Sequence, residues 1–210
     1  MPSVQQHTPE QLNWLQMQNG QEQALANIYD QYVEILFHYG KKFTHQPEII
    51  EDAIQDLMTE LWFKRDKLSL PKSIQAYLFA SFRQKILRHI SRSKRISLVD
   101  QYGGLHILDQ DNYVSQQEKI ETNAFIQDKL MKAMKKLSPK EREAIHLRYT
   151  KNLKHEEISS IMDIKKQSLY NLLHTAVIKL SKALNDEKHS TIVYLLLSLA
   201  LIFLTVAIAI

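Results

Sequence analysis

The stretch that opens with LSPKERE at Leu137 and closes at Leu184 constrains the fold more than any other part of the chain. Ser138, Pro139 and Glu141 combine a helix cap, a proline at the first helical position and a carboxylate three residues after the cap, which together satisfy free amides of a helix start. A helix is expected from there to about Tyr149. Lys154 to Met162 gives a second, short helix with Ile158, Ile161 and Met162 on one side. Asp163 then falls where the chain needs a residue tolerant of left-handed backbone. From Lys166 onward Leu169, Leu173, Ala176, Val177 and Leu180 recur at three- and four-residue spacing, so one face packs inward and the other presents Gln167, Tyr170, Asn171 and His174. This is the layout of a helix-turn-helix with its supporting helix. Gln and Asn can bond bidentately to adenine in a major groove, and Lys165 and Lys166 at the helix start suit phosphates. On this segment alone a plain bundle of three amphipathic helices remains the alternative.

Composition narrows the remaining choices. A chain of 210 residues, 44% of them hydrophobic, can bury the cores of one or two domains, and four Gly and five Pro leave few turns, which favours an all-α fold. The formal charge of +4 is only mildly basic, so a nucleic-acid reading must rest on where the charges sit. The chain has no cysteine, which excludes disulfides, thiolate metal sites and cysteine nucleophiles. The nine His are scattered, His155-Glu156-Glu157 lacks the second His of a zinc-protease pair, and no Gly-rich phosphate loop occurs. Asp109-Gln110-Asp111 opens like a calcium loop but lacks its Gly and terminal Glu. No catalytic residue, metal site or cofactor is expected, and the chain does not read as an enzyme. The polar start MPSVQQHTPEQLNWLQMQNG lacks the charged-then-apolar layout of a secretory signal, so the folded part is expected on the cytoplasmic side.

Two helical blocks are separated by a weaker stretch. The first covers residues 8–95, with helical spacing from Gln21 to Phe43 and two further helices, from Pro47 to Lys64 and from Pro71 to about Arg95, each opened by a proline. Residues 96–117 contain Gly103-Gly104, several Asp and no sustained period, and read as a flexible linker. The second block, residues 118–186, contains the helix-turn-helix.

The two later helices of the first block carry opposite charge. On the helix from Pro47, Ile50, Ile54, Leu57 and Leu61 recur at core spacing, while Glu48, Glu51, Asp52, Gln55 and Asp56 fall on the other side. Such a face either is simply solvated or docks a basic partner helix. On the helix from Pro71, Lys85, Arg88, Arg92 and Arg95 share one side, opposite Phe82, Ile86 and Ile90. With Arg83 and Lys94 there are six positive side chains and no acidic one between Ser81 and Arg95, an electrostatic site for nucleic acid or, less simply, for an anionic membrane surface.

LANIYDQYVEILFHYGKKF, EDAIQDLMTELWFKRDKL and SIQAYLFASFRQKILRHISRSKR resemble region two of sigma-70 family factors of the extracytoplasmic-function group, and the stretch from Leu137 resembles region four of the same group. The resemblance covers about Gln21 to Leu184 and includes the order of the blocks and the linker between them. It implies a sigma factor with core RNA polymerase, promoter DNA and an anti-sigma factor as partners. It further implies that Glu51, Asp52, Gln55 and Asp56 bind the polymerase clamp, and that the loop around Asp66 to Pro71 meets the melted promoter element together with the basic helix, through Lys85, Arg88, Arg92, Lys94 and Arg95. In the same way Lys165, Lys166, Gln167, Tyr170, Asn171 and His174 would read the distal element as duplex. Trp62 and Phe63 suit either base stacking or the core. The chain departs from the family pattern at Tyr170, Leu172 and Thr175, where basic residues are frequent; fewer phosphate contacts follow, and weak binding by this domain alone.

The second departure is the tail. TIVYLLLSLALIFLTVAIAI, from Thr191 to Ile210, is uncharged over 20 residues. At about 1.5 Å per residue a helix of that length would be about 30 Å long, the thickness of a bilayer's hydrocarbon core. Lys179, Lys182 and Lys188 precede it, which places the DNA-binding part on the cytoplasmic side of the inner membrane, with residues 190–210 as a single C-terminal anchor. The rival reading is a membrane-anchored one-component regulator that binds duplex DNA without acting as a sigma factor.

Overall fold

A computed structural model describes residues 7–100 and 130–184, and among these all regular structure is helical. In chain order the elements are α1 (Pro9–Gln18), α2 (Glu22–Gly40), α3 (Pro47–Lys64), a 3-10 turn (Arg65–Lys67), α4 (Ile74–Asp100), α5 (Pro139–Ile145), a π-helical turn (His146–Thr150), α6 (His155–Met162) and α7 (Lys166–Leu184); residues 130–135 are also helical. Among the described residues no helix is long and apolar enough to cross a membrane. The expected anchor at 190–210 and most of the expected linker lie outside the described residues, although α4 runs to Asp100, past the expected boundary at Arg95.

The expected helix starts hold, with one shift. Ser138 accepts from the Glu141 amide at 3.3 Å while the Glu141 carboxylate accepts from the Ser138 amide at 2.7 Å, the reciprocal box read from SPKE. Thr8 and Gln11 form the same box at α1, with Pro9 behind the cap. α3 spans the residues that its proline and periodicity predict. α4, by contrast, starts at Ile74 and not at Pro71, because Ser73 supplies the cap: its Oγ accepts from the Ala76 amide at 3.1 Å. Asp163 has φ 53° and ψ 54°, the left-handed turn expected between α6 and α7.

The described residues fall into two compact units. The first holds α1 to α4 together with Asn152–Lys166, which contains α6. Its core is built on Trp14, Ile28, Leu36, Tyr39, Ile50, Leu57, Leu61, Leu78, Phe79, Phe82 and Ile86, all at most 2% exposed. α3 lies along α4, α1 along α2, and α6 packs on α4. Tyr39 is the aromatic hub, with ring centroids 4.8 Å from Phe79 and 5.1 Å from Phe43. Gly40 lets α2 approach closely: a Cβ there would sit 2.5 Å from Ile50 Cγ2 and 3.1 Å from the Phe82 ring.

The second unit carries α5, the π-helical turn and α7 from Gln167. Ala133, Leu137, Ala144, Leu147, Leu169, Leu173 and Ala176 are its buried apolar residues, and Val177 and Leu180 are half-buried. Glu141 ties the start of α5 to α7: its carboxylate is 5% exposed and receives Lys179 Nζ at 2.8 and 2.9 Å. Burial pushes the Glu141 carboxyl upward, but the lysine and the Ser138 amide outweigh it and hold it below the usual range.

Candidate interaction surfaces

α3 presents the first surface. Its apolar positions Ile50, Ile54, Leu57 and Leu61 are buried as expected, with Ala53 and Met58 added, and Glu48, Glu51, Asp52, Gln55 and Asp56 are exposed on the opposite side. The acidic face is partly engaged from within. Asp56 accepts from His89 Nε2 of α4 at 2.8 Å, with 59% of the Asp56 side chain still exposed. One turn later Glu60 bridges Lys64 of its own helix and Lys85 of α4. Hydrogen bonds from the two lysines outweigh desolvation and bring the Glu60 carboxyl down to about 2. Asp56 and Glu60 thus fasten α4 to α3 by two cross-helix pairs.

α4 presents the second surface, and the structure redistributes the expected residues. Arg88 and Arg92 are exposed, opposite buried Phe82 and Ile86 and half-buried Ile90. Lys85 is different: its side chain is 11% exposed and its ammonium is held by Glu60. Helical periodicity groups Lys85 with the arginines, whereas its partner sits 25 residues upstream on another helix, where no local pattern points. Lys94 and Arg95 lie on α4, and their side chains fall outside the described residues.

The loop between α3 and α4 is pinned at several points. The Leu68 amide donates to the Lys64 carbonyl at 3.1 Å, and Gln18 of α1 donates through Nε2 to the Leu68 carbonyl. Arg65 donates to the Trp62 carbonyl at 2.7 Å and lies over the Trp62 ring, 4.3 Å from its centroid. Trp62 is therefore half-buried beneath a guanidinium, while Phe63 is 76% exposed. The core role open to both in sequence does not hold for Phe63, because its position turns away from the Leu57, Met58 and Leu61 side of α3. Gln18, whose grip on the loop spans 50 residues, has no signal in the sequence.

The third surface is the turn into α7 and its outer face. Lys165, Lys166, Gln167, Asn171 and His174 are exposed, and Tyr170 is half-buried. Gln167 Nε2 donates to Asn171 Oδ1 at 3.2 Å, so the two amide side chains stand one helical turn apart as an ordered pair. Lys166 donates to Glu156 Oε1 of α6 at 2.8 Å, and this hydrogen bond lowers the Glu156 carboxyl from its ordinary value. Lys165 and Lys166 flank the free amides at the start of α7, a setting that suits a phosphate.

Residues 28–96 match the family model described as sigma-70 region 2, and residues 127–180 match sigma-70, region 4. Among solved structures the chain is similar to CnrH in its complex with the cytosolic domain of CnrY, with TM-score 0.56, 16% identity, and 85% of this chain and 99% of that chain covered. It is also similar to the sigma factor RpoE from Bartonella quintana, solved with the anti-sigma factor NepR, with TM-score 0.54, 19% identity, and 78% and 98% covered. No sequence match to a curated protein was found. The first match takes in α3, the pinned loop and most of α4; the second takes in α5 to most of α7.

Proposed function

The chain belongs to the sigma-70 family, with the two-region layout of its extracytoplasmic-function group, and we propose that it docks on core RNA polymerase through α3 and directs promoter-specific initiation through α4 and α7. The observation that carries this reading is the pairing, in one compact unit, of an exposed acidic helix with an arginine-bearing helix, inside the residues that match region 2. Glu51, Asp52, Gln55 and Asp56 form the polymerase-binding set. Arg88 and Arg92, with Lys94 and Arg95 further along α4, meet the promoter at its melted element together with the loop around Asp66 to Pro71, which precedes the start of the same helix. Lys85 contributes by fixing α4 on α3, with its charge already satisfied by Glu60.

α7 takes the distal, duplex element. Its Gln167 and Asn171 pair supplies base contacts, and Lys165, Lys166 and His174 supply the backbone side. Splitting promoter recognition over two modest surfaces makes isolated DNA binding weak and places specificity in the assembled holoenzyme. An anti-sigma factor is a further partner, a reading supported by the similar RpoE fold that was solved with the anti-sigma factor NepR bound. The uncharged stretch 191–210 anchors the protein in the membrane from the cytoplasmic side, on the strength of its length and apolarity alone.

The test is transcription with the full-length chain and core polymerase. Initiation at defined start sites that depends on the chain is the expected result. Tight operator binding without polymerase, and no chain-dependent initiation, would overturn it in favour of a one-component regulator.

A further inference from the structure

Along the exposed side of α3, Asp52, Asp56, Thr59 and Phe63 follow one another at four, three and four residues, so they form one stripe on one helix face. Three turns of this stripe are polar or acidic, and the last presents an aromatic ring that is 76% exposed. The residues on either side of it in sequence are already engaged. Trp62 is covered by Arg65, Lys64 pairs with Glu60, and the segment after the helix is tied to Gln18 through the Leu68 carbonyl. Phe63 therefore projects from a helix end whose adjoining residues Trp62 and Lys64 are already engaged.

We propose that Phe63 is the apolar anchor of the polymerase-docking face, seated in a hydrophobic pocket of a basic helical segment of the polymerase whose cations meet Asp52 and Asp56. This rests on α3 being the docking helix. A rigid aromatic beside a charged rim is the arrangement that concentrates binding energy at interfaces, since the ring loses little side-chain freedom on burial and the carboxylates set register and approach. Base stacking fits the ring less well. Two of the other three members of its stripe, Asp52 and Asp56, carry carboxylates, which repel a phosphate backbone running along that side, and the adjoining cation Lys64 is held by Glu60, leaving Lys67 beyond the helix end as the exposed cation nearby in sequence.

The experiment measures affinity of the full-length chain for core RNA polymerase without DNA, by fluorescence anisotropy, for the parent and for Phe63→Ala, Phe63→Leu and Asp52→Lys. Because Phe63 is exposed, its variants should keep the parent's helical content, checked by circular dichroism. The expected result is a loss on the order of tenfold for Phe63→Ala, little loss for Phe63→Leu, and a clear loss for Asp52→Lys. Unchanged affinity for Phe63→Ala beside a loss for Asp52→Lys would overturn the anchor and leave α3 as the docking helix. Unchanged affinity for both would overturn the docking helix itself. Normal core binding with impaired promoter opening in Phe63→Ala would assign the ring to a melted base instead.

Discussion

Gly40 shows how little room one carbon has in the first unit. The site is helical, so alanine gains about 1 kcal/mol of helix propensity over glycine. A Cβ at 2.5 Å from buried Ile50, with the Phe82 ring at 3.1 Å behind it, forces α2 and α3 apart, and overpacking of this kind costs about 1–3 kcal/mol. Gly40→Ala is expected to lower the urea midpoint; a midpoint at or above the parent's would show that α3 yields. Glu60 makes a pH prediction. Its folded carboxyl sits at about 2 against an ordinary 4.5, so its stabilising contribution is present above about 4.5 and is lost as pH falls toward 2. At 42% side-chain exposure, each of its two pairs is worth less than about 1 kcal/mol. Glu60→Gln should flatten the stability change between pH 5 and 2.5 relative to the parent, as read by urea melts across that range. These two residues also mark the limit of legibility at this scale. Spacing along one helix identifies which side is apolar, but Lys85 finding Glu60, and Gly40 finding Ile50, are facts about two helices at once.

Helices are where sequence reading succeeds most, because capping and periodicity are local. The α5 box, the left-handed Asp163 and the buried stripe of α3 are where pattern alone puts them. Two features escaped it. Ser73 outcompetes Pro71 as the start of α4, since a hydroxyl that accepts an amide satisfies a donor that proline merely lacks. The widening of the chain into a π-helical turn at His146–Thr150 has no marker in a period of 3.6 residues. Ser138→Ala should cost about 1 kcal/mol by freeing the Glu141 amide and loosening the reciprocal bond, visible as a lower denaturation midpoint. On α4, Arg88 and Arg92 are exposed cations on a face where Lys85 is neutralised by Glu60. Arg88→Ala or Arg92→Ala in the holoenzyme should reduce the slope of log affinity against log salt by about 1 each, whereas Lys85→Ala should leave the slope alone and lower stability. A slope unchanged by the arginine variants would remove α4 from the phosphate contacts.

At the scale of the molecule, function is distributed. The acidic and basic helices of the first unit each offer one partner surface, and α7 offers another whose lysines are few. If α4 and α7 act as proposed, neither would bind a promoter strongly alone, so the chain's specificity would belong to its assembly with polymerase, and anything that controls where the chain resides would control that assembly. Residues 191–210 would do so physically. A stretch of 20 uncharged residues whose only polar side chains are Thr191, Tyr194, Ser198 and Thr205 has little to offer water, and as a helix its transfer into a bilayer would be favoured over solvation by the summed burial of its Leu, Ile, Val and Phe side chains. With Lys179 occupied by Glu141, Lys182 and Lys188 are the cations that would hold the preceding segment at the cytoplasmic face of such an anchor. The full-length protein is therefore expected in the membrane fraction after a carbonate wash, and a chain ending before Thr191 in the soluble fraction with promoter-specific initiation retained. Recovery of the full-length protein wholly in the soluble fraction would remove the anchor while leaving the two promoter-reading surfaces as they stand.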